Sequence, residues 1–109
     1  MGKIFTFCIA VMALCLFVTF GIAGKSVSAM SGEAGFKQHC SACHANGGNI
    51  INPQKTLHKK NLNASKILKA EDIIMVVRKG APSMPALDKN TLSDEDAMEI
   101  AKYILTTFK

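Results

Sequence analysis

The sequence predicts a small all-α domain of about four helices, and three observations carry that reading. Beyond residue 30 the apolar residues recur at helical spacing, and no stretch shows the alternation of a strand. Capping and charged residues bracket the periodic stretches as helix ends require. The chain has 109 residues, 49% hydrophobic and 19% charged, which is room for one domain. That length excludes the large α/β enzyme folds, and no glycine-rich phosphate fingerprint is present.

The first element is not part of the domain. Residues 4–24 carry no charge, behind a positive start at Lys3 and ahead of the small residues Val27-Ser28-Ala29. This is the pattern of a secretory signal over residues 1–29, with the cut after Ala29 and the domain over residues 30–109. A retained anchor competes, because an apolar run of about 20 residues is close to what a bilayer core requires. Leu14 before Cys15 speaks against a lipoprotein, so Cys8 and Cys15 read as apolar residues of a discarded segment. On either reading the domain folds outside the cytoplasm. The bacterial periplasm is the first expectation and a thylakoid lumen the second. The cut leaves 80 residues with a net charge of +3, too little to argue for nucleic acid. A domain of that size rarely holds together without a metal, a disulfide or a covalent cofactor.

Ser31 or Gly32 starts a helix that runs to about Ala42, with Glu33 in its first turn. Gly47-Gly48-Asn49 and Asn52-Pro53 mark residues 45–56 as loop. A short helix is expected over residues 63–68. Another runs from about Ala70 to Lys79, with Glu71 and Asp72 at its start, Arg78 and Lys79 at its end, and Gly80 just beyond. Pro82 and Pro85 exclude a helix interior after it. The last helix has Ser93 as N-cap and Asp94, Glu95 and Asp96 in its first turn. Its apolar face is Ala97, Ile100, Ala101, Ile104, Leu105 and Phe108, which reads as core.

One motif carries chemistry. Cys40-Ser41-Ala42-Cys43-His44 is a C-x-x-C-H, the pattern of c-type haem attachment. Residues three apart on a helical turn point to nearly the same side. Two thiols there can add to the two vinyl groups of one porphyrin, and His44 can reach the iron from one face. A thioredoxin-like site would need a βαβ context, which is missing. A structural zinc site would crowd His39, Cys40, Cys43 and His44 onto one turn. The export signal also favours covalent haem, since bacterial haem attachment takes place outside the cytoplasm.

The second axial ligand should come from far along the chain. His39 lies on the attachment helix itself and is badly placed for the opposite face. His58 competes from a polar stretch, and Met75 reads as core. Met84 lies in Ala81-Pro82-Ser83-Met84-Pro85-Ala86-Leu87, where two prolines stiffen the loop, and it is the preferred ligand over His58. A His/Met pair raises the potential and leaves no open site on iron, which favours electron transfer.

With these residues in view the sequence resembles a class I c-type cytochrome, and within that class cytochrome c6. The resemblance rests on residues 40–51 from Cys40 to Ile51, on Pro53-Gln54-Lys55-Thr56-Leu57, on Met84-Pro85-Ala86 and on Leu92-Ser93-Asp94-Glu95-Asp96. It implies a small cytochrome c fold wrapped around one covalently bound haem c, with His44 and Met84 as the axial pair. It implies that the Pro53 carbonyl accepts a hydrogen bond from the far nitrogen of His44. It implies that Gly32 and Phe36 of the first helix cross Ile100 and Tyr103 of the last. Two departures stand out. Where the family has a glutamine near the haem, this chain has Val76, which implies a lower potential. Where the family often has Gly-Gly-Arg after the methionine loop, this chain reads Asp88-Lys89-Asn90-Thr91, which weakens the case for photosynthetic partners.

The function expected is a monohaem carrier of single electrons, and not an enzyme. Its partners would be redox proteins docking transiently, with no nucleic acid and no small-molecule substrate. Membranes would enter only through partner complexes or an uncleaved N-terminus. The alternatives are a haem-based sensor and a fixed electron-relay subunit of a larger membrane complex; a haem-free thiol-redox protein is a further reading. Lys55, Lys59, Lys60, Lys66 and Lys69 form a basic cluster that reads first as a solvated face and second as a steering patch for an acidic partner.

Overall fold

In the computed structural model, which describes residues 28–109, the first helix starts where its capping residue dictates. The expected signal peptide over residues 1–29 lies outside the described residues save for its last two. The Ser31 hydroxyl accepts a hydrogen bond from the Ala34 N–H at 3.2 Å and so caps α1 (Gly32–His39). The helix expected to reach Ala42 is interrupted at Cys40, whose φ of −123° leaves the helical range. A short turn of helix, α2 (Ser41–His44), follows. At the interruption the Ser41 hydroxyl donates to the Lys37 carbonyl at 2.7 Å, a side-chain bond that competes with the helical ladder. A 3₁₀ turn, Ala45–Gly47, then reverses the chain through the left-handed residues Asn46 and Gly47.

The second expected helix forms earlier than its residues suggest. It is α3 (Lys59–Ala64), not residues 63–68. Lys66, at φ 60°, ends it in a Schellman arrangement. The Lys66 N–H donates to the Asn63 carbonyl and the Ile67 N–H to the Leu62 carbonyl, both at 2.9 Å. α4 (Ala70–Lys79) begins at the Asp72 carboxylate, which accepts from the Leu68 and Lys69 N–H groups at 2.9 and 3.1 Å. Those bonds, that from Leu68 first, hold the Asp72 carboxyl below its ordinary range. The helix ends at Gly80, at φ 72°. α5 (Asp94–Thr107) is capped as expected, the Ser93 hydroxyl accepting from the Asp96 N–H at 3.1 Å. Among the described residues the sole extended pairing is an isolated bridge between Ala81 and Met84, so the domain is all-α.

The core sits where α1 and α4 lie on α5. Ala97, Ile100, Ala101, Ile104 and Phe108 of the expected stripe are buried, and Leu105 is half-buried. They meet Phe36 from α1, Leu62 from α3, Ile73 and Val77 from α4, and Leu92 from the approach to α5. The α1–α5 crossing depends on two glycines. A Cβ at Gly32 would collide with the Glu99 carbonyl oxygen and lie 2.7 Å from the Tyr103 Cβ. A Cβ at Gly35 would lie 2.7 Å from the Ile100 side chain. The close approach lets the Phe36 ring pack on Tyr103 and Phe108, at centroid distances of 5.4 and 5.3 Å.

Two predictions follow from this packing. Gly32→Ala should destabilise the protein by about 1–3 kcal/mol, because the obstacle is backbone that cannot step aside. Lys66→Gly should stabilise it by about 0.5–1 kcal/mol by removing a side chain from a left-handed position. Denaturant unfolding of the purified protein, followed by circular dichroism, measures both.

Candidate haem-binding site

The attachment motif occupies the interruption between α1 and α2. Cys40 and Cys43 are free thiols, each half-buried. The Cys43 and His44 N–H groups both donate to the Cys40 carbonyl, at 3.2 and 2.9 Å, so one helical turn carries both thiols and the imidazole. Burial pushes the Cys40 thiol up to about 11, so neither a ready thiolate nor a strong redox nucleophile is prepared there.

The His44 ring is oriented by a bond the sequence did not reveal. Its Nδ1 lies 2.7 Å from the Gly48 carbonyl oxygen. A carbonyl only accepts, so Nδ1 carries the proton and donates, which leaves the Nε2 lone pair for a metal. Pro53, the partner expected from the resemblance, is exposed in the turn closed by the Lys55 N–H on the Asn52 carbonyl. The nearer partner exists because the left-handed pair Asn46 and Gly47 folds the chain back on the ring, and the Gly48 N–H donates to the Ala45 carbonyl at 3.0 Å. Gly47 is obligatory twice over. Its φ is 76°, and a Cβ there would lie 2.5 Å from the Phe108 ring.

Met84 is half-buried and packs against the edge of the core. Its loop is fixed at several points. The Ala81 and Met84 backbones exchange both hydrogen bonds, at 3.0 and 2.9 Å, around Pro82 and Ser83. Ser83 takes φ 66° at the third position of that turn, where a type II turn requires a positive value. The Leu87 N–H donates to the Val77 carbonyl at 2.9 Å, and Arg78 Nη1 donates to the Leu87 carbonyl at 3.0 Å. Gly80 lets the loop close over the end of α4, since a Cβ there would lie 3.0 Å from both the Met84 oxygen and the Ala86 nitrogen.

The other candidates stand elsewhere. His39 is half-buried at the end of α1. His58 is the N-cap of α3, and its ring meets Phe108 edge-on with centroids 6.0 Å apart. Met75, read from sequence as core, is 64% exposed. Val76 is half-buried on α4. The lysines Lys55, Lys59, Lys60, Lys66 and Lys69 are all exposed.

These residues fit a covalent haem. The donor set is two free thiols, an imidazole with one nitrogen already satisfied, and a thioether in a pinned loop. The apolar surface agrees. Ile50, Ile51, Leu68 and Met75 are 60–67% exposed, so apolar side chains are available at the surface for a macrocycle to cover. Among the described residues no polar or charged residue belongs to the buried core, and the one buried side-chain nitrogen without a partner is Arg78 Nε. Gly35, Arg78 and the Gly48 carbonyl were not singled out from sequence. A small residue three positions from Gly32 could have drawn attention to Gly35, whereas nothing in the sequence points to the other two.

Comparison with known proteins places the chain in a family. The family described as cytochrome c oxidase, cbb3-type, subunit III matches residues 27–104. A cytochrome c6 from Gracilaria tenuistipitata var. liui is 44% identical over 75 residues, which is 69% of this chain and 68% of that protein. A cytochrome c6 from Cyanidium caldarium is 35% identical over 98 residues, 90% of this chain and 88% of that one. Among solved structures, outer membrane cytochrome F from Geobacter sulfurreducens superposes with a TM-score of 0.70 at 33% identity, covering 72% of this chain and all of its own. The chain belongs to the class I c-type cytochromes and is of the cytochrome c6 kind, a carrier of single electrons on one covalently bound haem c and not an enzyme.

Proposed function

We propose that Cys40 and Cys43 hold the haem as thioethers, that His44 Nε2 and the Met84 sulfur are its axial ligands, and that the protein shuttles electrons between redox proteins outside the cytoplasm. When bound, the haem supplies the electron site, its iron passing between the ferric and ferrous states. The observation that carries the reading is the His44 ring, whose Nδ1–H is committed to Gly48 and whose other nitrogen is left for a metal. Donation to a carbonyl fixes the ring plane and raises the basicity of Nε2. The pinned loop presents a weak thioether at little ordering cost. An axial pair filled by two side chains excludes small ligands, which separates a carrier from a sensor or an oxygen-activating enzyme.

The charge-free stretch over residues 4–24 and the small residues before Met30 support an export signal over residues 1–29 and a mature domain over residues 30–109. The bacterial periplasm is the proposed compartment. Docking would be brief and small in area, as electron-transfer encounters are. Val76 leaves the haem surroundings without a hydrogen-bonding side chain at its position, which lowers the potential relative to a glutamine there.

Two experiments check the assignment on protein made with haem-attachment machinery. Oxidised and reduced visible spectra should show sharp reduced bands and a far-red sulfur-to-iron band, and Met84→Ala should abolish the far-red band. A Met84→Ala protein that keeps the band would refute the ligand. Val76→Gln should raise the midpoint potential, since hydrogen bonding near the haem is one of the levers that set it; an unchanged titration would leave Val76 as packing.

A further inference from the structure

Arg78 stands at the last turn of α4, where a basic residue ordinarily answers the helix dipole from solvent. Here it does something else. Its side chain is only 20% exposed. Nη1 donates to the Leu87 carbonyl at 3.0 Å, and Nη2 donates to Asp94 Oδ1 at 2.7 Å. Nε is buried with no partner among the described residues, so the two Nη bonds are the hydrogen bonds the guanidinium makes there. Asp94 is the first residue of α5, and its other oxygen pairs with Lys89 Nζ at 2.7 Å. Leu87 is three residues beyond Met84 and is already tied to α4 through the Val77 carbonyl. One planar group thus links the loop that carries Met84 to the start of the last helix.

We propose that Arg78 is the positioning residue for the Met84 ligand, its guanidinium bridging the Leu87 carbonyl and the Asp94 carboxylate so that the methionine loop cannot lift from α4 and α5. The inference rests on the reading of Met84 as an axial ligand. The physical basis is geometric. The tight turn at Pro82 and Ser83 shapes the loop locally but does not attach it to the helices. Attachment comes from the Leu87 backbone bond, the half-buried Leu87 and Met84 side chains and the Arg78 bridge. Only the last is a charge-assisted hydrogen bond with a planar donor able to serve two acceptors at once. A lysine has the charge but not that fork, so it does not replace the arginine here.

The test uses the haem-loaded ferric protein and imidazole as the probe, since imidazole binds iron only when the native sulfur ligand gives way. Arg78→Gln should tighten the apparent imidazole affinity roughly tenfold, the scale of one hydrogen bond to a charged group. Arg78→Lys should tighten it to a similar degree, and Asp94→Ala should act in the same direction without touching the Leu87 contact. All titrations are run well below the unfolding midpoint of each variant, measured by far-ultraviolet circular dichroism. A role in global stability alone would lower that midpoint and leave imidazole affinity where it was. Wild-type affinity in Arg78→Gln, or its full restoration in Arg78→Lys, would overturn the proposal; if Arg78→Gln does not fold, wild-type affinity in Asp94→Ala overturns it. Absence of the far-red band in the unmutated protein would instead defeat the Met84 assignment on which it rests.

Discussion

The close crossing of α1 on α5 is the constraint on which the rest of the domain depends. Two backbones can approach so nearly only because Gly32 and Gly35 carry no Cβ toward Glu99, Ile100 and Tyr103. That approach brings Phe36 into the aromatic group with Tyr103 and Phe108. Phe108 then acts as the hub. Its ring rests on Gly47 and meets His58, and its carbonyl accepts the Lys59 N–H that starts α3. Through Gly47 the packing reaches the turn that folds the Gly48 carbonyl onto His44. A helix crossing made of apolar side chains therefore helps to orient the His44 imidazole, the candidate iron ligand, through the turn that follows it.

The two axial candidates are served by opposite ends of one helix. The C-terminal end of α5, through Phe108, supports the turn that follows the attachment motif. Its N-terminal end, through Asp94 and Arg78, anchors the loop of Met84. A rigid rod between the two supports is a sound way to keep two ligands in register. Helix α5 is the longest described helix and carries four of the ten core side chains. The surface charges add little to this frame. The Lys37–Glu33 and Lys102–Glu99 pairs are exposed, and such pairs contribute little to stability.

The apolar economy of the domain explains why a covalent group belongs in it. Among the described residues the core is ten side chains, and no large one of them is completely shielded. At the same time four large apolar side chains stand mostly in water. A fold left in that state would be marginal. A macrocycle attached at Cys40 and Cys43 would cover apolar surface and act as part of the core, and thioether bonds make that contribution permanent.

The sequence by itself determined whatever is encoded in residue spacing. The C-x-x-C-H of residues 40–44 puts two thiols and an imidazole on one turn through helix geometry alone. Ser31 and Ser93 cap helices through bonds within three residues, and the stripe from Ala97 to Phe108 names its own buried face. The tertiary structure decided what depends on contacts between distant segments. The start of α3 answers to the Phe108 carbonyl forty-nine positions away, and its end to a left-handed lysine that propensity does not favour. The bond from His44 to the Gly48 carbonyl came from a reversal by Asn46 and Gly47. Arg78 looks in sequence like any basic helix end, and only the return of residues 87 and 94 gives it two acceptors. Local hydrogen bonds and periodicity are written into neighbouring residues; close backbone approach and bridging side chains exist only once the helices have met.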